Sequence, residues 1–464
     1  ACKKNQPILV ATDFDDTILA EGDAYGSVPL GNGETVQVEY VSANPTGPLH
    51  VGAGRGAALG DSLANILSHA GYVVQREYYV NDAGSRMEAF NQTLFARYEQ
   101  QLGIQAELPA DGYAGEYMVE LASEVVREHG SEFLEMPRDQ GVAAIGRLGT
   151  QLMVDRIRVD LEGMNIRFDR WFSEQSLYDD GLIDSTIKSL GERGYVAERE
   201  GAVWFTSSAL GEDKDNVLVR SNGTPTYFAS DAAYHFDKFV TRKFGKVIDI
   251  WGADHQGHVP RMKTMVAGMG IDPERLIVVV YQLVSLKRGG KPVRMSKRTG
   301  DIITLTEVLE EVGPDAVRFF LLARSPEAMM DFDLDLAKEQ SNENPVYYVQ
   351  YAHARIASIL RYASDVDFSG GDVSLLTSAP EQELIAKMLL LPELVETAAL
   401  NLEPHHLPHY AQDIAAVFHS FYNQCRVVTD DEPLTRARLK LVSACKNVLG
   451  NTLALMGVNA PEQM

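Results

Sequence analysis

Four clusters in the 464-residue chain carry residue types that could do chemistry. The first is His50-Val51-Gly52, placed where a turn-rich stretch containing Pro45 and Pro48 gives way to a helical pattern. Backbone N–H groups at a helix entry attract phosphate, a histidine there can donate to a phosphate oxygen, and a glycine two residues on lets an adenine ring approach the backbone. The second is Arg294-Met295-Ser296-Lys297-Arg298, bracketed by Gly289-Gly290 and Thr299-Gly300. Flanking glycines predict a mobile loop, and the compact charge of Lys297 suits a pyrophosphate leaving group. The third is Trp251-Gly252-Ala253-Asp254-His255-Gln256-Gly257-His258, at the carboxyl end of an apolar run. Ligands bind at such strand ends in open α/β sheets; Gly252 permits close approach and Asp254 can accept from ribose hydroxyls. His255 and His258 lack thiolates or an acid at zinc-ligand spacing. The fourth, Gly52-Ala53-Gly54-Arg55-Gly56-Ala57, satisfies G-x-G-x-x-A and has Glu77 where a ribose-binding acid would sit, a nicotinamide-cofactor pattern. Against that reading, the prolines separate the glycines from the preceding strand.

The elements that must position these clusters follow from periodicity. Val36–Val41 reads as a strand, Arg55–Ala70 as a helix stopped by Gly71, and Tyr72–Val80 as a second strand. Strand, helix, strand implies a parallel sheet. From about residue 87 to 197 the pattern is mostly amphipathic helix, a helical insertion. The sheet is expected to resume with Val217–Arg220, Lys246–Trp251 and Leu276–Val280. After a polar break, Asn344 can cap a helix whose first residue is Pro345. Everything beyond reads helical, broken by polar loops near 364–379 and 427–434. Tyr348, Tyr351 and Arg355 share one face of the first of these helices. Aromatic and Arg planes of this kind stack on splayed-out bases, or else pack a bundle.

Composition narrows the class. With 65 acidic and 42 basic residues the formal net charge is −23, which speaks against broad nucleic-acid binding, since phosphate contacts rest on Lys and Arg. A local cationic stretch, Arg426, Arg436, Arg438, Lys440 and Lys446, could still track phosphates. No apolar run is long enough to span a membrane, and no secretory signal begins the chain. Cys2, Cys425 and Cys445 make an odd count without metal-ligand spacing, which fits a reducing compartment. His405, His406 and His409 read as polar-face or core histidines, so no metal is expected. Asp13-Phe14-Asp15-Asp16-Thr17 after an apolar run resembles the nucleophile motif of haloacid-dehalogenase-type phosphatases, but another pattern starts within a few residues.

Taken together the segments resemble the class I aminoacyl-tRNA synthetases, specifically the arginyl-tRNA synthetase family. The residues that carry the likeness are Val38 through Gly52, Arg294–Arg298, Tyr227–Asp231 with Ala232–His235, Trp251–Gly257 and Asn344–Arg355, in that family's order and over about Ile18 to Met464. The resemblance implies an α/β protein: a Rossmann-like parallel-sheet catalytic domain at 18–344 with the insertion at about 87–197, and an all-α anticodon-binding bundle at 345–464. It implies ATP-dependent activation of arginine and transfer to tRNA(Arg), with Mg2+ accompanying the nucleotide, in a cytoplasmic monomer. By family position His50, Lys297 and Ser296 would act on the phosphates, and Gly52, Gly54, Gly252 and Asp254 would hold adenosine. Asp231 and Tyr227 would face the guanidinium, with Glu39, Asn44 and His255 on the α-amino, carboxylate and neighbouring groups. Tyr348, Tyr351 and Arg355 would read the anticodon.

Two departures stand out. The family's first motif usually ends in a second histidine, and here that position is Ala53. Loss of one preorganised donor is worth about 10²–10³ in rate, with Arg55 a candidate to compensate. The resemblance also leaves residues 1–17 as a leader of unknown origin, where the family usually carries an N-terminal domain. The alternatives are a catalytically impaired paralogue that binds tRNA or arginine, and, more remotely, a NAD(P)-dependent oxidoreductase.

Overall fold

The computed structural model describes residues 15–293 and 303–464. Strand β1 (Thr35–Glu39), helix α1 (Val51–His69) and strand β2 (Val73–Val80) form the expected parallel unit. Helices α2 (Ser85–Gln101), α3 (Glu116–His129) and α4 (Arg138–Gly163) then pack on one another around Phe90, Leu94, Tyr98, Met118 and Leu121.

The stretch expected to be a helical insertion also holds a strand of the main sheet. β3 (Arg170–Ser173) pairs in parallel with β2. Four residues, Arg-Trp-Phe-Ser, are too few to show alternation against the long helices before them. Helix α5 (Leu182–Glu192) leads into β4 (Val196–Arg199), β5 (Ala202–Phe205) and β6 (Asn216–Val219), a separate antiparallel sheet. The segment around Val217, expected to resume the main sheet, lies in this small one.

Helix α6 (Tyr227–Phe236) returns the chain to the main sheet, which continues with β7 (Lys246–Gly252), α7 (Val259–Gly268) and β8 (Leu276–Tyr281). The strand order is β3-β2-β1-β7-β8, every pairing parallel. The order runs outward in opposite directions from β1 and β7, so their carboxyl ends form the switch point where open α/β sheets bind ligands. A second small sheet of β9 (Val284–Arg288), β10 (Lys291–Pro292) and β11 (Met330–Asp333) follows, with α8 (Leu305–Val312) and α9 (Pro314–Leu322) between its strands.

The helix expected after Asn344 does start at Pro345. Asn344 accepts from the N–H groups of Val346 and Tyr347 at 3.2 and 3.5 Å, and α10 runs Pro345–Tyr362. Helices α11 (Ala379–Met388) and α12 (Leu391–Asn401) pack against α13 (His406–Gln424), and α13 and α14 (Glu432–Met456) pack on α10. Bundle and sheet share one apolar core. At their junction the buried Arg318 of α9 donates to Asp61 of α1 (2.5 Å), to the Met456 carbonyl at the end of α14 (2.7 Å) and to the Met164 carbonyl (2.9 Å). Gly457, at φ +66°, stops α14 beneath that guanidinium, and a Cβ there would lie 2.1 Å from it.

Candidate active site at the switch point of the sheet

Three acids stand side by side across the central strands: Glu39 lies opposite Glu77 on β2 and opposite Asp249 on β7. Like charges in adjacent strands repel unless cations are inserted. The turn after α6 supplies them. Lys238, fully buried, donates to Glu39 at 2.6 Å and to Asp249 at 2.8 Å. Arg242 pairs with Glu77 (2.9 Å) and Asp237 (2.7 Å). Burial pushes the Glu39 carboxyl up. Burial also opposes ionisation of Asp249, but Lys238 and His235 override it and bring its carboxyl down to about 2. Glu77 is wholly buried and also accepts from Tyr234 at 2.6 Å, so it cannot take a ribose. That overturns the nicotinamide reading, which needed this acid.

The chain turns sharply after β1. Val41 and Ser42 hold φ values of +69° and +40°, costly for a β-branched residue and an L-serine. Neighbours fix the turn: Ser42 Oγ donates to Glu39 (2.9 Å) and accepts from the Tyr79 N–H (3.1 Å), and Asn81 donates to the Ser42 carbonyl (2.8 Å). Farther along, Tyr117 of α3 donates to the Thr46 carbonyl (2.8 Å), so the helical insertion braces the loop that carries Asn44. That loop delivers His50 to the start of α1, where its Nδ1 accepts from the Ala53 N–H at 3.3 Å and Nε2 carries the proton. Gly52 makes this possible: a Cβ there would fall 2.9 Å from the His50 ring.

Gly54 and Arg55 do not reach the open end of the sheet. Gly54 packs on Leu305, 2.8 Å from where its Cβ would be. Arg55 is fully buried and donates to the carbonyls of Gln282 (2.8 Å), Ser325 (2.8 Å) and Ala328 (2.9 Å). It therefore cannot stand in for a histidine at Ala53. Ser296 and Lys297 lie outside the described residues, but both flanks of their segment are fixed. The Val293 N–H donates to Leu286 on one side, while on the other Thr304 bridges His50 and the Leu305 N–H donates to the Leu49 carbonyl at 2.7 Å.

Tyr227 and Asp231 lie one turn apart on α6. Tyr227 is exposed, its hydroxyl 3.2 Å from Ser85. Among the described residues no group donates to the Asp231 carboxylate or pairs with it. Burial pushes its pKa up, with His235, Arg261 and His255 opposing. Beside it, Glu174 at the end of β3 is 3 % exposed, and burial and then Asp231 push its carboxyl to about 7. Asp82 is near too, accepting from Ser173 (2.6 Å), and Ser230 meets the Tyr178 hydroxyl (2.9 Å). The result is a cluster of acids flanked by phenols, with an unpaired carboxylate, a site for a cation with several donors. Glu174 was missed in the sequence because β3 itself was. Gly252 ends β7; after it Asp254 and His255 are exposed, 3.5 Å apart, on the rim of the same face.

Comparison with known proteins decides which cation-binding family this is. The model of the class I tRNA synthetase (R) catalytic domain matches residues 16–355, and that of the DALR anticodon binding domain matches 349–464. The chain belongs to the arginyl-tRNA synthetase family. The arginine–tRNA ligase of Dehalococcoides mccartyi strain BAV1 is 58 % identical over 97 % of this chain and 81 % of its own length. A crystal structure from Campylobacter jejuni, 34 % identical, covers 99 % of this chain and all of its own at a TM-score of 0.90. Thermus thermophilus arginyl-tRNA synthetase, 26 % identical, covers 97 % of this chain and 86 % of its own at 0.78.

This synthetase carries a second candidate site on its bundle. A groove of about 1010 Å³ is lined by Tyr351, Arg355, Tyr362, Tyr422, Asn423 and Arg426, with Met464 among its other walls. Arg355 lies 4.9 Å from both the Tyr351 and Tyr422 ring centres, and Tyr362 is 80 % exposed. Tyr348 does not line the groove; its ring packs on His419 at 4.8 Å. Most of the supposed cationic stretch is spent internally. Arg436 pairs with Glu432, Arg438 with Glu381 and Lys446 with Glu462, and Lys440 is buried. Of those five only Arg426 faces the groove. Elsewhere, Glu403, His405 and His406 bring ligand-type atoms within 4.8 Å of one another, with His406 and Glu403 already 3.3 Å apart. Among the described residues no helix is long and apolar enough to cross a membrane.

Proposed function

We propose that the switch-point cavity performs both steps of arginine charging and that its residues divide the work as follows. ATP enters as its Mg2+ complex. The arginine carboxylate attacks the α-phosphate and pyrophosphate leaves, giving arginyl-adenylate, a mixed anhydride. A terminal ribose hydroxyl of tRNA(Arg) then attacks its carbonyl carbon, forming the arginyl ester, releasing AMP and giving up the hydroxyl proton. The His50 Nε2–H and the amides at the start of α1 meet the phosphates, with Ser296 and Lys297 arriving from between the two fixed flanks. Gly252 and Asp254 hold adenosine, and His255 closes the rim. Glu39 and Asn44 take the α-amino end of arginine. Asp231, Glu174 and Tyr227 receive the guanidinium, whose planar fork of five donors needs acceptors spread in one plane. A lysine ammonium would leave some of them unpaired. The bundle groove takes the anticodon by stacking on Tyr351, Tyr422 and Tyr362, with Arg426 on phosphate.

The observation that carries this reading is the unpaired Asp231 carboxylate beside Glu174 at the sheet's switch point. One chain supplies every group named, which supports a monomer, and the buried free thiols of Cys425 and Cys445 fit a reducing cytoplasm. The test is charging of tRNA with each amino acid in turn. Arginine alone should be esterified, and Asp231→Asn should lower kcat/KM for arginine by about 10²-fold or more. Equal charging with lysine, or an unaffected Asp231→Asn, would sink the assignment. Ala53→His belongs in the same assay, where a gain of about 10² would mark a missing phosphate donor.

A further inference from the structure

Lys238 is a fully buried cation beside the proposed site, and the proposed function leaves it without a part. Its ammonium touches no open surface. It bridges Glu39 on β1 and Asp249 on β7 at 2.6 and 2.8 Å, and lies 4.1 Å over the Tyr234 ring. The other oxygen of Asp249 meets His235 Nε2 at 2.9 Å, and His235 Nδ1 meets the Asp231 carbonyl at 2.8 Å. Both ring nitrogens thus face oxygen acceptors. The links run without a break from the carboxylate of Glu39 to the backbone of Asp231, through side chains that are all at most 10 % exposed.

A surface salt bridge of this length would be soft, but this one is enclosed and charge alternates along it. Its two ends are the two proposed anchors of the amino acid. We propose that Lys238 is a positioning residue that keeps Glu39 ionised and still, and that the Lys238–Asp249–His235 chain sets the distance between the α-ammonium anchor and the guanidinium anchor. The pocket then measures side-chain length as well as charge. An amino acid one methylene longer or shorter can satisfy only one anchor. A guanidino acid without the α-amino group leaves Glu39 without its partner, and a site built to bond a group rejects the analogue lacking it. The neutral groups near Glu39 cannot replace Lys238: Ser42 gives one neutral hydrogen bond, and the Tyr234 hydroxyl donates to Glu77 instead.

This inference rests on Glu39 receiving the α-ammonium, and the experiment separates the two claims. Inhibition constants of 5-guanidinovaleric acid (no α-amino group) and homoarginine (one methylene longer) are measured against arginine in tRNA charging. Wild type is compared with Glu39→Gln, Lys238→Met and His235→Gln, each checked by near-UV circular dichroism. Glu39→Gln should shrink the preference for arginine over 5-guanidinovaleric acid by about tenfold or more. Lys238→Met should do the same, raise KM for arginine more than it lowers kcat, and also shrink the preference over homoarginine. His235→Gln leaves the Lys238–Glu39 pair in place, and should loosen length discrimination while keeping the α-amino preference. If Lys238→Met does not fold, His235→Gln still decides the length claim. A Glu39→Gln enzyme with wild-type preferences overturns the role of Glu39 and this inference with it. A responsive Glu39→Gln beside a Lys238→Met or His235→Gln enzyme that only loses kcat or stability overturns the positioning claim alone.

Discussion

Glu174 and Asp249 show how neighbouring parts of one sheet end hold carboxyls at opposite ends of their range. Burial, and then the negative Asp231, push Glu174 up to about 7, so a large share of it is protonated near neutrality. A bound guanidinium needs the carboxylate, so arginine binding must expel that proton. Affinity for arginine should therefore fall by about tenfold per pH unit below 7 and level off above 8, with proton release measurable by calorimetry in buffers of different ionisation enthalpy. A dissociation constant flat from pH 5.5 to 8 would contradict this. For stability the sign is that of a raised acid: its contribution is full below the ordinary carboxylate range and is lost as pH rises through about 7. Asp249, brought down to about 2, works the other way, and its contribution is lost only as pH falls toward that value. A steric prediction belongs to Gly52. Its Cβ would strike the His50 ring at 2.9 Å, so Gly52→Ala should turn the imidazole off its cap on the Ala53 N–H. The expected result is a drop in kcat of about 10²-fold with little change in KM for arginine, read in the same charging assay.

At the scale of elements, the central strands place Glu77, Glu39 and Asp249 in register, and the turn after α6 neutralises them with Lys238 and Arg242. The sheet is thus held by charges that could not coexist without that helix. Arg242→Met should cost about 3–5 kcal/mol in urea unfolding, because it strands a buried carboxylate. Adding Glu77→Gln should restore part of that loss, and two additive losses would refute the pairing. The sequence shows how far such a design can be read. α1 is legible because it is long and periodic, and the Asn344-Pro345 start of α10 because cap chemistry is local. β1, β2, β7 and β8 are legible because each is a β-branched or apolar run ended by turn residues or a helix. β3 is not legible: it is four residues long, and it is recognised as a strand only through its partner β2. Asp231, His235 and Lys238 do recur at helical spacing in an apolar segment, a visible polar stripe. Periodicity alone cannot tell a solvated stripe from one turned inward on three acids. Arg436, Arg438 and Lys446 mislead for the reverse reason: Glu381 and Glu462 reach Arg438 and Lys446 only in the folded bundle, and Glu432 meets Arg436 one turn along the helix.

Over the whole molecule, a net charge of −23 describes the average surface, while the bundle groove concentrates Arg355 and Arg426 among tyrosines. Because few phosphate-facing cations are present there, the salt slope of tRNA affinity should be shallow for this groove. Tyr422→Ala should then weaken tRNA binding by about 1–3 kcal/mol at any salt, as expected for a lost stacking face. The bundle meets the sheet at the end of α14. Its last carbonyls, Leu455 and Met456, accept from Ser62 of α1 at 3.0 Å and from Arg318 of α9 at 2.7 Å. α1 is the helix that His50 begins. Because these bonds sit inside a core continuous between bundle and sheet, the two units should unfold as one. Arg318→Met removes the guanidinium but leaves Asp61 and two carbonyls buried beneath it. A loss of about 3–5 kcal/mol is therefore expected, and the seam should fail before either unit does. Calorimetry of the full chain should show a single transition for wild type and two for Arg318→Met, the bundle melting first. A single cooperative transition in the variant would mean that apolar packing along α1 and α14 couples the units without the buried arginine.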